Sequence, residues 1–177
     1  MPRNVDASQR RAEIDQIVWE IIADEGIAAV TLRSIANHGG ISMGRVQHYF
    51  RSRDEILRHS LESLIRLAQD TLTESSSPRD SLNRLLTHAI PRSEAERRGS
   101  KVWYTYLAEA ITDPSISAIV NTVLQGTEDH ATALLDGDRI RARTVLAAAD
   151  GIAYRTLVGQ LTPAQAEDAI EALIGPA

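Results

Sequence analysis

Residues 31–50 read TLRSIANHGGISMGRVQHYF, and this stretch decides the fold. Thr31 suits the N-cap of a short helix over Leu32–His38. Its hydroxyl can accept one of the backbone N–H groups that every helix start leaves unpaired. Gly39-Gly40 ends that helix, because glycine enters the left-handed C-cap conformation without a Cβ penalty. Ile41 fits the gap between two helices, and Ser42 is the N-cap of a second one over Met43–Tyr49. Two short helices joined this closely form a helix-turn-helix, whose second helix enters a DNA major groove.

Charge agrees with that reading. No Asp or Glu occurs from Gly26 to Arg53, whereas Arg33, Arg45, Arg51, Arg53, His38 and His48 all do. The whole chain is acidic, with 19 Lys+Arg against 24 Asp+Glu, so the window departs from its background. A surface that meets phosphates excludes carboxylates and gathers arginine. A plain helical hairpin with a solvated basic face would not require cap, turn and charge to agree.

The run LRSIANHGGISMGRVQHYFRSRDEIL resembles the DNA-binding domain of the TetR family of bacterial regulators. Ile35, Ala36, Ile41, Ser42, Gly44, His48, Tyr49, Phe50, Ser52, Arg53 and Leu57 fall in the family's register. The clear motif covers about residues 10–65. Beyond it the likeness is one of length and helical layout, with KVWYTYLAEAITDPSI loosely similar to BetI-like C-terminal domains. The resemblance implies an all-α fold: a three-helix head at 1–51, and a helical ligand-binding and dimerisation domain at 52–177. Within the latter, residues 52–74 would form the linking helix.

Composition sets the bounds. The 177 residues suffice for one large or two small domains, and 43% hydrophobic residues suffice for a core. No apolar run approaches the roughly 18 residues of a membrane span, and MPRNVDASQRR has no apolar signal-peptide segment. Cysteine is absent, which excludes disulfides and thiolate metal sites. These features suit a cytoplasmic bacterial protein with no membrane partner. Local basicity in an acidic chain suits a protein with one binding face.

Helical periodicity runs through the rest. Ser8–Glu25 carries Ala12, Ile14, Ile17, Val18, Ile21 and Ile22 at helical spacing, after a mobile arm at 1–7. Arg3, Arg10 and Arg11 stand where they can reach phosphates or a minor groove, or simply be solvated. Ser52 with Glu55 forms a capping box opening a long helix through Leu72. The break at Ser75-Ser76-Ser77-Pro78 precedes helices over Asp80–Ile90, Ser93–Thr112, Ile116–Leu135 and Arg139–Gln160, with a last one after Thr162-Pro163. That makes nine helices and no strand. Pro114 marks a first helical position.

The recognition helix supplies the base-reading candidates. Arg45 can donate two hydrogen bonds to guanine O6 and N7, worth about 1–3 kcal/mol of discrimination. Arginine departs from the small residue common in the family here. Gln47 can read adenine or hold a phosphate, Met43 can lie against a thymine methyl, and Gly44 lets the helix approach the bases. Arg33 matches a position that reaches a base in some family members. Thr31, Ser42, His48, Tyr49, Arg51 and Arg53 are candidates for phosphate contact. His48 equally suits a hydrogen bond within the head, Tyr49 can be partly core, and Phe50 is best read as core.

The resemblance further implies a homodimer, formed through helices 139–160 and 163–174, on an inverted-repeat operator. Small residues in 139–160 permit close helix approach, and Leu157, Val158, Ile170, Leu173 and Ile174 supply apolar area. It also implies a small-molecule effector, with His88, Trp103, Tyr104, Tyr106, Gln125, Glu128 and Asp150 as candidate pocket residues. An enzyme is disfavoured: no Glu-x-x-His pair, Gly-x-Ser-x-Gly elbow, P-loop or dinucleotide fingerprint occurs. No catalytic residue, metal or cofactor is therefore expected. The expected function is a repressor released from a palindromic operator by its effector. The alternative is a DNA-binding protein of the same fold without an inducer, acting through protein partners or as an activator or architectural factor.

Overall fold

The computed structural model describes residues 3–71 and 77–175, with side chains from 8 to 70 and from 77 to 175. Nine α-helices run through the described residues: α1 Arg3–Glu25, α2 Leu32–His38, α3 Met43–Tyr49, α4 Arg53–Thr71, α5 Pro78–Thr87, α6 Glu94–Glu109, α7 Pro114–Leu134, α8 Arg139–Leu157 and α9 Pro163–Ile174. A short 3-10 turn at Ile27–Ala29 follows α1. Helix α1 extends back to Arg3, so the arm expected at 1–7 is helical over most of its length. The first turns, RNVDA, carry no apolar periodicity, so the helical pattern becomes legible only from Ser8. The side chain of Arg3 and the whole of Leu72 lie outside the described residues.

Helix starts follow cap chemistry closely. Ser77 Oγ accepts from the Asp80 N–H, so α5 opens at Pro78, two residues before the apolar pattern begins. Asp113 accepts from the N–H groups of Ser115 and Ile116, and Pro114 follows it as the first residue of α7. Thr162 and Gln165 form a reciprocal capping box before α9. At α4 the box is displaced: Glu55 N–H donates to Ser52 Oγ, but the Glu55 carboxylate accepts from Arg51 N–H at 2.7 Å.

The described residues fall into two compact units. The first comprises Met1–Leu67 and Lys101–Val120. Its core joins Ile14, Val18, Ile21 and Ile22 of α1 to Ile35, Val46, Phe50, Ile56, Leu57 and Leu61, and to Val102, Tyr106, Ile116 and Val120. The segment Lys101–Val120 therefore packs with the helix-turn-helix. At the centre, the Tyr106 hydroxyl donates to the Leu57 carbonyl at 3.1 Å and lies 2.5 Å from Ser60 Oγ. Trp19 Nε1–H donates to the Ser60 carbonyl at 3.1 Å.

The second unit comprises Ala68–Ser100 and Asn121–Ala177. Helices α5, α8 and α9 pack on one another around Leu82, Leu86, Ile90, Val145, Ala149, Ala166, Ile170 and Ile174. Its surface is laced by ion pairs: Arg92 with Glu167 at 2.7 Å, Arg79 with Glu171 at 3.0 Å, and Glu128 with both Arg139 and Arg143. Arg97 donates to the Leu157 carbonyl at the end of α8, where a cation complements the helix dipole. Ala142, Ala149 and Ala153 are buried here, so half of the small-residue content of α8 serves packing inside the chain. Ile170 and Ile174 are likewise buried in this core. Their apolar area is used within the unit, because α9 rests on α5 as well as on α8.

Candidate nucleic-acid interface

Helices α2 and α3 form around two hydroxyl caps. Thr31 Oγ1 accepts from Ser34 N–H at 2.9 Å, and Thr31 N–H donates to Ser34 Oγ at 2.9 Å. Ser42 Oγ accepts from Arg45 N–H at 3.2 Å. The two glycines between the helices do different jobs. Gly40 takes φ +58°, the left-handed conformation that closes the turn. Gly39 stays right-handed at φ −80°. A Cβ there would stand 2.5 Å from Ile17 Cδ1 and 3.2 Å from the Ile35 carbonyl oxygen, so any larger residue would have to displace the tip of Ile17. The Ile41 N–H then donates to the Ala36 carbonyl at 3.0 Å, and its half-buried side chain packs on the core between the helices.

This frame presents one face of α3. Val46 is fully buried and Tyr49 half-buried, while Met43, Gly44, Arg45, Gln47 and His48 are exposed. The first turn of the helix that carries these five residues holds no carboxylate. Arg33 is exposed on α2, and Arg51 on the loop beyond α3. Nothing stands within 4 Å of a Cβ added at Gly44, so the surface there is open. Two carboxylates border this surface: Glu25 lies 3.1 Å from His38 Nε2, and Glu55 accepts from the Arg51 N–H.

Several candidate contacts are engaged within the head. The Thr31 and Ser42 hydroxyls act as caps. Arg53 Nε–H donates to the Val30 carbonyl, and its Nη2 donates to that of Ile27 at 2.8 Å. His48 and Tyr49 meet edge to face, with ring centroids 5.0 Å apart. Phe50 is fully buried. On α1, Arg10 pairs with Glu13, and Arg11 turns inward to the carbonyl of Tyr49.

The candidate effector residues separate. Trp103, Tyr104 and Tyr106 belong to the first unit, and His88, Gln125, Glu128 and Asp150 to the second. Tyr106 is a core residue with a hydrogen-bonded hydroxyl, and burial pushes its phenol above the ordinary tyrosine range. Trp103 packs half-buried against the same core. Gln125 donates to Asp129. The hydrogen bond from Arg143, with that from Arg139, holds the Glu128 carboxyl below its ordinary range. His88 caps α5, with Nδ1 3.3 Å from the Leu85 carbonyl. Asp150 lies on the exposed side of α8.

Sequence reasoning missed the inward polar set on α1. Arg11, Asp15 and Trp19 recur every four residues, a spacing that puts them on one helix face. That regular polar interruption of an apolar helix was the available signal.

Residues 19–59 match the bacterial regulatory proteins of the tetR family, and residues 78–175 match the C-terminal domain of BetI-type transcriptional repressors. The chain is 25% identical over 171 residues to the HTH-type transcriptional regulator PksA of Bacillus subtilis, covering 89% of this chain and 83% of that protein. It is 24% identical to the regulator BetI of Stenotrophomonas maltophilia, covering 67% of this chain and 63% of that one. A transcriptional regulator from Rhodococcus sp. superposes with a TM-score of 0.85 at 24% identity, over 93% of this chain and 94% of that one. One from Saccharomonospora viridis, solved in complex with choline, superposes with a TM-score of 0.83 at 22% identity, over 94% and 96%. At those identities the superpositions speak to the fold. Among the described residues, no helix is long and apolar enough to cross a membrane. With both parts of the chain matched, the protein belongs to the TetR family of helix-turn-helix transcriptional regulators, with a C-terminal domain of the BetI type, and is a regulator rather than an enzyme.

Proposed function

We propose that this chain is a homodimeric repressor, acting in the bacterial cytoplasm, that binds an inverted-repeat operator and leaves it when a small effector binds. The observation that carries the reading is the exposed face of α3. Met43, Gly44, Arg45, Gln47 and His48 are offered together from a helix fixed by its cap and by Val46. In this reading Arg45, Gln47 and Met43 meet base edges, Gly44 permits close approach, and Arg33 reaches a base or phosphate. Arg51, His48 and Tyr49 contact the backbone, while Thr31, Ser42 and Arg53 hold the frame from which those contacts are made.

Two heads must reach successive major grooves about 34–36 Å apart, which calls for a dimer. Helix α8 offers a face for it: Ile140, Thr144, Ala147, Gly151, Tyr154 and Val158 are all exposed. Their alternating spacing of four and three residues is that of a helix-pairing seam. The effector acts through the BetI-type region by favouring a conformer whose heads no longer fit adjacent grooves. The choline complex of the S. viridis regulator supports a small-molecule site in this architecture.

Selection from a random-duplex library with the purified protein tests the reading. An enriched inverted repeat, released by one member of a small-molecule panel, is the expected result. Enrichment without release by any effector would favour the inducer-free alternative. Failure to enrich any sequence would end the operator reading.

A further inference from the structure

Asp15 is a carboxylate in the middle of an apolar core, 1% exposed. A buried carboxylate is costly unless it is paired and hydrogen-bonded. Its partner is His59 of α4, whose Nδ1 lies 2.9 Å from Asp15 Oδ1. A carboxylate only accepts, so Nδ1 carries the proton and the imidazole is fixed in that orientation. The His59 ring meets the ring of Phe50 edge to face, at 5.1 Å between centroids and 68° between planes. Phe50 is the residue that ends α3, and its N–H donates to the Val46 carbonyl at 3.0 Å. One turn earlier on α1, Arg11 places its guanidinium carbon 5.3 Å from the centre of the same Phe50 ring. Arg11 Nη2 also donates to the Tyr49 carbonyl at 3.3 Å.

We infer that Asp15 and His59 are positioning residues for operator recognition. Through Phe50, and alongside Arg11, they set the height and rotation of the recognition helix. The inference rests on the DNA-reading role of α3 proposed above. Packing alone does not ask for a hydrogen-bonded carboxyl–imidazole pair here, since apolar residues of similar volume often replace both members of such buried pairs without loss of stability. Base reading does ask for rigidity, because a functional constellation must be held within about 0.5 Å and 10–20°. Asp15 touches no base and no phosphate in this role. It acts through His59 and Phe50 on the end of α3 opposite its Ser42 cap.

The test compares Asp15→Leu, which keeps the branched shape without an acceptor, with Asp15→Asn, which keeps the acceptor without the charge. Full-length proteins are assayed on the duplex selected by the wild type and on an unrelated duplex of equal length, at one salt concentration. We expect Asp15→Leu to bind the selected duplex about tenfold more weakly, the scale of one misplaced base contact. Its unrelated-duplex affinity should stay near wild type even where the unpaired His59 lowers its melting midpoint, and Asp15→Asn should restore the selected-duplex affinity. Amide exchange at Tyr49 and Phe50 should quicken in Asp15→Leu without any DNA present. Wild-type affinity in Asp15→Leu, or equal loss on both duplexes, would overturn the inference. If Asp15→Leu does not fold, the double variant Asp15→Leu with His59→Phe takes the same measurements, removing acceptor and donor together. If the wild type selects no sequence, the operator reading fails by itself. Amide exchange then decides this one, with unchanged rates overturning it.

Discussion

Arg53 Nε–H donates to the carbonyl oxygen of Val30 across 2.9 Å, and so ties the first turn of α4 to the residue just before the Thr31 cap. With the second bond from Arg53 to Ile27, one guanidinium closes the loop between α1 and α2 over the start of α4. The planar fork of arginine spans both carbonyls, and a lysine ammonium has no such fixed spread.

Arg53→Ala should therefore lower head stability by about 2–4 kcal/mol, since net hydrogen bonds to charged groups contribute about 1.5–3 kcal/mol each and do not add fully. Thermal unfolding of the full chain reads this. An unchanged melting midpoint would return Arg53 to the phosphate contact expected from the sequence.

Arg45 has the opposite character, being exposed on α3 with only its backbone N–H engaged by the Ser42 cap. Arg45→Ala should leave stability within about 0.5 kcal/mol and relax preference at one base pair of each half-site by about 1–3 kcal/mol. A panel of single-base operator variants measures it. Uniform weakening across the panel would make Arg45 a phosphate contact instead.

Tyr106 gives the head an alkaline limit. Burial raises its phenol above the usual range, whereas in the unfolded chain it ionises near about pH 10. Above that pH the unfolded chain releases a proton that the folded chain keeps, so stability falls as pH rises; below it the full stability is present. The loss approaches about 1.4 kcal/mol per pH unit from this one group. Melting midpoints between pH 8 and 11 should fall less steeply for Tyr106→Phe than for wild type. Parallel slopes would assign the limit to another group.

The outer face of α8 predicts the assembly. Ala147 is exposed on it, so Ala147→Glu should leave the helix intact while placing like charges together at a two-fold seam. Sedimentation should then show a shift from dimer to monomer, with loss of operator affinity and little change in helical content. A variant that remains dimeric would move the interface away from this face.

Where sequence and structure agree, local chemistry governs. The bounds of α2 and α3 coincide with those read from Thr31, Gly39 and Ser42 because caps act within four residues. The starts of α7, α8 and α9 follow Asp113, Asp138 and Thr162 for the same reason. What was less legible depends on distant partners. Arg11 and Arg53 are basic residues in or beside a DNA-reading window, and composition alone points them at phosphate. Their carbonyl partners lie 38 and 23 residues away in the chain, a pairing that no local pattern encodes. Ile170 and Ile174 read as free apolar area for a partner because periodicity identifies an apolar face without saying which helix covers it. Gly39 and Gly40 look alike in sequence, yet one serves dihedral freedom and the other the close approach of Ile17.

Val46 is the only fully buried residue of α3, and Phe50 anchors the helix from just beyond its end. The helix is thus seated by Val46, Phe50, the inner side of Tyr49 and a serine cap, while positions 43, 44, 45, 47 and 48 stay outside the core. A lineage can exchange residues at those five sites, and so drift from one target sequence to another, without passing through an unfolded intermediate. For a laboratory seeking a new operator preference, the same five positions form a library in which most members should still fold.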